Sequence, residues 1–127
     1  MQSYKLRIKL NRTIEIRVGK LGSFKFPEGL YIYMGSAKQN LEGRIQRHLQ
    51  KFKKLHWHID YLLVNAKAHV ISVERSTSSE CALNQKVKGQ ILIPGFGSSD
   101  CLKKCGSHLK YFGLSRDVDL RNTSQID

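Results

Sequence analysis

The sequence predicts an α+β fold with a small, mostly antiparallel central sheet, an N-terminal β meander and flanking helices. Three patterns predict it: strict polar–apolar alternation near the N-terminus, a β-branched and aromatic run bounded by glycines, and apolar residues at helical spacing after residue 40. A chain of 127 residues has the length of one domain. We expect that domain to cover residues 1–114 and a polar C-terminal tail to cover residues 115–127.

Three short strands make up the predicted meander. In residues 4–10 every second residue, beginning with Tyr4, is apolar, and the residues between them are basic. Residues 14–18 alternate in the same way. Phe24 marks a third strand, which ends at Pro27 because proline lacks the amide hydrogen that a sheet requires. Period-two alternation is typical of strands with one buried face.

A fourth strand is predicted for residues 29–35, which are rich in aromatic and β-branched side chains. Tyr31 and Tyr33 share one face of this strand, and the aliphatic residues beside them occupy the other face. Gly35 stands at the predicted strand-to-helix turn, where the missing side chain would let a substrate backbone come close.

An amphipathic helix is predicted from residue 40 to about residue 53. Asn40 is suited to cap its N-terminus. The apolar stripe consists of Leu41, Ile45, Leu49 and Phe52, which recur at helical spacing.

The later elements are predicted with less regular patterns. Residues 56–64 suit a short helix, and residues 70–73 suit a strand. A helix is expected over residues 80–88, where Gly89 would end it. A last short strand is expected within residues 109–114.

The charge of the chain favours a polyanionic partner. The net charge is +12, and residues 1–55 hold 13 lysines and arginines against 3 acidic residues. Such a basic half indicates nucleic acid, or else a merely basic surface. No stretch approaches the roughly 20 apolar residues of a membrane span, so we expect no membrane partner. Three cysteines, an odd number, argue against a secreted disulfide scaffold, and we predict a cytoplasmic protein.

The predicted helix after residue 40 carries the most informative polar side chains. Arg44, His48 and Lys51 are spaced so that they share one face. Guanidinium and imidazole groups are suited to phosphate oxygens. A solvated basic face is the alternative interpretation.

Four runs in the chain together resemble one nuclease family. They are GLYIYMGSA at 29–37, HWHIDYLL at 56–63, GFGSSDC at 95–101 and SHL at 107–109. The sequence resembles the GIY-YIG endonuclease superfamily, and more closely its stand-alone Uri-type or DUF123 branch. This resemblance implies a GIY-YIG nuclease-like fold that hydrolyses phosphodiester bonds in DNA with Mg²⁺ or Mn²⁺. From the small size of the chain alone, we expect such a nuclease to be directed by DNA structure or damage. RNA as a substrate and the oligomeric state stay open.

The resemblance also implies the roles of individual residues. The second signature triplet corresponds to residues 33–35, and of the first triplet only Tyr4 survives. Glu80 corresponds to the metal-binding glutamate, and Arg44 to the arginine that clamps the phosphate. Either Tyr4 or His48 would be the general base. The implied catalytic residues are thus Tyr4, Tyr33, Arg44, His48 and Glu80.

Further side chains are predicted to contact nucleic acid. The late asparagine of the family is replaced by Ser98, Ser99 or Asp100. His56 and His58, together with Asp60, form a His-x-His-x-Asp motif, for which we favour a role in shaping the site over metal ligation. The predicted nucleic-acid-binding residues are Lys38, Arg47, Lys51, His56, His58, Ser98 and Ser99.

Two alternatives accompany the endonuclease hypothesis. Cys101, Cys105 and His108 would bind Zn²⁺ if a fourth ligand joined them, and reduced cysteines or one disulfide are the competing interpretation. The altered first triplet and the missing asparagine would also suit a catalytically weak or inactive nucleic-acid-binding module on the same fold, since fold does not establish activity.

Overall fold

A computed structural model describes residues 2–37, 39–76, 89–94, 96 and 108–114. The predicted helix over residues 80–88 and the predicted tail over residues 115–127 lie outside these ranges. The elements are β1 (Gln2–Leu10), β2 (Ile14–Val18), β3 (Gly22–Phe26), β4 (Gly29–Ala37), α1 (Leu41–Leu49), α2 (His58–Leu63), β5 (Ala68–Ser76) and β6 (Leu109–Tyr111).

The sheet has the strand order β5-β1-β4-β6, and each neighbouring pair is antiparallel. The predicted α+β class, with a mostly antiparallel sheet, helices and an N-terminal β meander, is confirmed. In the pairing, β1 lies between β4 and β5, while β2 and β3 form a two-stranded sheet of their own. Alternation identifies a strand and its buried face, but the strand's partner depends on the rest of the chain.

The two faces of the sheet bury separate apolar clusters. Tyr31 and Tyr33 belong to the main core, with Tyr4 and residues of α1, α2 and the β2–β3 hairpin. The aliphatic side chains of β4 form a second cluster on the opposite face, with Phe112 packed against it. The predicted assignment of the two faces of β4 is therefore confirmed.

Helix α1 begins as predicted and ends earlier than predicted. The Asn40 side chain accepts a hydrogen bond from the Gly43 amide at 3.1 Å, which caps the N-terminus. The helix stops at Leu49 because Gln50 adopts an extended backbone with a ψ of 134°. The Lys53 amine then folds back and donates to the carbonyls of Arg47 and His48 at 3.0 Å, in the last turn of the helix. The Arg47 carbonyl also accepts a hydrogen bond from the Gln50 amide at 3.2 Å.

The early end of α1 changes the environment of its predicted apolar stripe. Leu41 and Ile45 are buried, whereas Leu49 is 43% exposed and Phe52 is 96% exposed. The prediction that Leu49 and Phe52 continue the buried stripe was wrong. Leu49 is the last residue of α1 and is exposed there, and Phe52 lies beyond the residue at which helical spacing ends.

The short helix predicted within residues 56–64 is confirmed as α2, and the strand predicted around residues 70–73 is confirmed as β5. No helix in the described part of the chain is long and apolar enough to cross a membrane.

Candidate functional site

A buried tyrosine–histidine pair joins the sheet to α1. The Tyr4 hydroxyl and Nε2 of His48 lie 2.6 Å apart, a short hydrogen-bond distance. Both side chains are 2% exposed. Strand β1 places Tyr4 on the core face, and the last turn of α1 places His48 above it. The structure thus brings together two residues that the sequence separates by 44 positions.

Gly35 provides the space for Tyr4. The register of β1 and β4 pairs Gly35 with Tyr4, and a Cβ on Gly35 would lie 2.3 Å from the Tyr4 hydroxyl oxygen. The expectation that Gly35 stands at a turn and lets a substrate backbone approach was wrong, both in where the glycine lies and in what lies next to it. The glycine lies inside β4, not at a turn, and the Tyr4 ring occupies the space beside it.

His48 is neutral at neutral pH. Burial, and after it the nearby Lys53 ammonium, lower the pKa of His48 to about 4. Its Nδ1 is buried and has no hydrogen-bond partner among the described residues. A neutral imidazole has one donor and one acceptor nitrogen, so Nε2 can accept the hydroxyl proton of Tyr4 when Nδ1 carries the hydrogen.

Arg44 and Trp57 border this pair. Arg44 lies one helical turn before His48, and its Nη1 donates to the Ser36 carbonyl at the end of β4. The Arg44 guanidinium carbon lies 4.7 Å from the centre of the Trp57 ring, and the Trp57 ring centre lies 5.7 Å from that of His48. Tyr33 also contacts His48, edge to face, with ring centres 6.1 Å apart. We call Tyr4, Tyr33, Arg44, His48 and Trp57 the Tyr4–His48 cluster.

The cluster differs in exposure across its members. Tyr4, Tyr33 and His48 are buried, whereas Arg44 and Trp57 are half-buried. A ligand therefore meets the Arg44 guanidinium and the Trp57 ring first.

Arg47 is tied to the protein by a buried carboxylate. Its two terminal nitrogens each lie 3.0 Å from an oxygen of Asp60, and its guanidinium packs 4.5 Å from the centre of the Trp57 ring. Asp60 also accepts the backbone amides of His56 and Trp57 at 2.8 Å. Burial raises the pKa of Asp60, but the hydrogen bonds from Arg47 and from the two backbone amides outweigh burial, so the pKa of Asp60 stays below its ordinary value.

Lys51 lies beyond the end of α1, so it does not share a helix face with Arg44 and His48 as predicted. Its amine donates to the backbone carbonyls of Leu63 and Asn65 at 2.8 Å and to that of Ala68. These three acceptors match the three donors of an ammonium group. Contact of Lys51 or Arg47 with nucleic acid stays a prediction, and both cations already have partners within the protein.

The predicted histidines lie in different surroundings. The His56 side chain is exposed beside Trp57, with ring centres 5.1 Å apart. His58 is half-buried against Phe96 and burial lowers its pKa. His108 is buried.

Several predicted residues lie outside the described ranges: Lys38, Glu80, Ser98, Ser99, Asp100, Cys101 and Cys105. Within the ranges that the structure describes, no three histidine, cysteine or carboxylate side chains are grouped to hold a metal ion. Both metal assignments, Mg²⁺ or Mn²⁺ on Glu80 and Zn²⁺ on the cysteines, stay predictions.

Two contributors to the site are not marked by the sequence pattern. Trp57 packs against the main core, and its ring centre lies 4.7 Å from the Arg44 guanidinium carbon and 4.5 Å from that of Arg47. Lys53 was given no role, but its amine caps α1 and lowers the pKa of His48. The spacing of Arg44 and Arg47, three residues apart on one helix, was the available signal for a shared aromatic partner.

Comparisons with known proteins place the chain in a family without assigning an activity. No curated protein and no solved structure matched the chain. The model of a family described as "Domain of unknown function DUF123" matches residues 3–125. This match confirms the DUF123 branch predicted from the sequence, and the relation to GIY-YIG endonucleases stays a prediction. Because the match covers nearly the whole length, the chain belongs to the DUF123 family.

Proposed function

We propose that the protein is a metal-dependent endonuclease of the GIY-YIG type that hydrolyses phosphodiester bonds in DNA. One observation carries the proposal: the Tyr4 hydroxyl lies 2.6 Å from a neutral histidine, one helical turn from a half-buried arginine. A hydroxyl with a fixed acceptor and a cation beside it suits the handling of a water next to a phosphate. The basic N-terminal half of the chain supports a polyanionic substrate.

Arg44 is the proposed phosphate clamp. A guanidinium has five N–H donors in a fixed plane, and one of those of Arg44 is used on the Ser36 carbonyl. Stacking on Trp57 holds the plane in place. The remaining donors face a phosphate with little loss of freedom on binding, and they stabilise the charge that develops on its oxygens.

Tyr4 is the proposed group that orients the attacking water, through its hydroxyl oxygen. His48 has a pKa of about 4, so it acts as a neutral hydrogen-bond acceptor and not as a store for a proton. We therefore assign His48 as a positioning residue that fixes the Tyr4 hydroxyl. Tyr33 packs against the imidazole with the two rings tilted by 68°, and this contact helps to hold the imidazole in place.

Glu80 is the proposed ligand of Mg²⁺ or Mn²⁺, because these ions prefer oxygen ligands and keep most of their waters. A divalent ion bound there supplies positive charge for the leaving oxygen.

The test is a nicking assay on supercoiled plasmid and on branched DNA, with RNA in parallel, in Mg²⁺ or Mn²⁺. We expect cleavage by the wild type and none by Glu80→Gln or in the presence of chelator. Cleavage that survives in Glu80→Gln would contradict the assigned metal ligand. Absence of cleavage by a wild-type protein that binds DNA would contradict the endonuclease proposal.

Arg44→Ala tests the clamp against a matched control. Arg17 lies exposed on β2, so Arg17→Ala removes the same charge away from the Tyr4–His48 cluster. We expect Arg44→Ala to abolish cleavage with a smaller loss of DNA affinity, and Arg17→Ala to retain cleavage. Equal losses of cleavage and binding in Arg44→Ala would contradict a role in the transition state.

A binding module without catalysis is the second candidate. The observation in its favour is burial, because Tyr4 and His48 are each 2% exposed and the Tyr4 hydroxyl already has a partner. This candidate predicts salt-sensitive DNA binding that is unchanged in Glu80→Gln and in Tyr4→Phe, with no cleavage by any variant.

A further inference from the structure

One aromatic side chain stands almost fully in solvent. Phe52 is 96% exposed, more than any other large apolar side chain that the structure describes. It lies between Lys51 and Lys53, in the segment that follows α1, where residues 51 and 52 form a bend. An exposed phenyl ring forgoes the burial that normally stabilises a fold, so its position needs a cause.

The two flanking lysines hold Phe52 outward. The Lys51 amine donates to the carbonyls of Leu63 and Asn65 at 2.8 Å, and the Lys53 amine donates to the carbonyls of Arg47 and His48 at 3.0 Å. Both lysine side chains turn back onto the protein, and the Phe52 side chain between them is 96% exposed.

The backbone on the far side of Phe52 is fixed as well. The Lys54 carbonyl accepts a hydrogen bond from Nη2 of Arg47 at 2.7 Å, and Arg47 is itself held by Asp60. The segment is therefore tied to the rest of the protein at three residues, 51, 53 and 54. A ring presented in this way loses little freedom on binding a ligand.

The segment joins the Tyr4–His48 cluster to a basic surface. It leaves the C-terminal end of the helix that carries Arg44 and His48, and Lys53 contacts the His48 carbonyl directly. Residues 41–56 hold five lysines and arginines and one glutamate. An exposed aromatic ring in a basic surface suits a partner that carries negative charge and also offers a flat apolar face. A nucleic acid with an unstacked base has both properties.

An anionic membrane is the competing partner, since Leu49 and Leu55 are also partly exposed. Membrane adsorption needs a broad apolar face ringed by free basic side chains. Leu49 is 43% exposed and Leu55 is 42% exposed, so the apolar face around Phe52 is narrow, whereas stacking requires the Phe52 ring alone.

We propose that Phe52 stacks on an unpaired base of DNA whose backbone lies along Arg44, so that the protein selects DNA with single-stranded or unpaired nucleotides. The location of the DNA backbone rests on the proposed function. The stacking contact itself requires no cleavage.

The experiment measures affinity by fluorescence anisotropy in chelator, where no metal-dependent cleavage occurs. The probes are a single-stranded oligonucleotide, a duplex with an unpaired base and the fully paired duplex. We expect Phe52→Ala to lose about 5- to 150-fold in affinity for the first two probes, the range for removing one base–aromatic stack. Affinity for the paired duplex should be unchanged.

Two further variants separate stacking from general apolar contact. Phe52→Trp keeps a stacking ring and should retain the preference for unpaired bases. Ile71 on β5 is 53% exposed, and Ile71→Ala should leave all affinities unchanged. Because the Phe52 ring is in solvent, thermal unfolding of Phe52→Ala should match that of the wild type.

Three results for Phe52→Ala would overturn the stacking proposal. The first is an unchanged affinity for single-stranded DNA, and the second is an equal loss of affinity for the paired duplex. The third is a loss of binding to phosphatidylserine vesicles, measured in parallel, while DNA binding stays intact. Failure of the endonuclease proposal gives a different result, because a protein that never nicks plasmid can still show the Phe52-dependent preference in chelator.

Discussion

Replacing Gly35 with alanine should displace the Tyr4 ring and break the Tyr4–His48 pair. The new Cβ would lie 2.3 Å from the Tyr4 hydroxyl oxygen and 2.4 Å from its Cζ. Non-bonded carbon atoms approach to about 3.5–4.0 Å, so the ring must move by about 1 Å or more. The ring is buried and its oxygen is bonded to His48, so it cannot move without loss.

The magnitude follows from three contributions. Overpacking of a buried site costs about 1–3 kcal/mol. Loss of the Tyr4–His48 hydrogen bond adds about 1 kcal/mol. Alanine returns about 0.5–1 kcal/mol because it loses less backbone freedom than glycine on folding. We expect Gly35→Ala to lower the free energy of unfolding by about 2 kcal/mol and to abolish any cleavage.

Urea unfolding in two further backgrounds identifies the clash. Leucine at position 4 ends before the atoms that the new methyl group would meet, so Gly35→Ala should cost little in Tyr4→Leu. Phenylalanine keeps Cζ at its place, so the cost should persist in Tyr4→Phe. An equal cost in all three backgrounds would refute the reasoning, because the penalty would then not arise from the Tyr4 ring.

Three further predictions follow from charge and burial. The pKa of His48 is about 4 in the folded protein and 6.5 in the unfolded chain, so the contribution of neutral His48 to stability is present above pH 6.5 and is lost as the pH falls towards 4. We expect the free energy of unfolding, measured with urea, to fall by about 3 kcal/mol over this range. The fall should be absent in His48→Gln. Asp60→Asn should lower the free energy of unfolding by about 3 kcal/mol, because it leaves Arg47 without its buried carboxylate. Glu42→Gln removes a carboxylate from the exposed pair with Arg75, and it should leave the thermal unfolding temperature unchanged. DNA affinity should fall linearly on a logarithmic salt scale in anisotropy titrations, and a flat response would contradict the basic interface.

The helix after residue 40 shows which features a local sequence pattern can predict and which it cannot. Asn40 as the N-cap and the buried positions of Leu41 and Ile45 were predictable, because capping and helical spacing act within a few residues. The end of the helix was not, because it depends on the Lys53 amine turning back onto the last carbonyls. The exposed position of Phe52 follows from the same turn.

Most residues of the candidate site could be named from the sequence, but their arrangement in space could not. Resemblance to a nuclease family selected Tyr4, Tyr33, Arg44 and His48, which the structure does bring together. A hydropathy pattern treats histidine as polar, so the burial of His48 was not visible in the sequence. Its neutral state also depends on Lys53, which approaches from beyond the helix.

By itself the sequence determined which residues form strands, which face of each strand is buried, where α1 begins and how positive the N-terminal half is. These features depend on neighbours a few positions away, or on composition alone. The tertiary structure decided that β1 lies between β4 and β5, that Gly35 makes room for Tyr4, and that Tyr4 meets His48. Each of these depends on atoms that are distant in the chain, and their contact is fixed by sheet register and helix packing together.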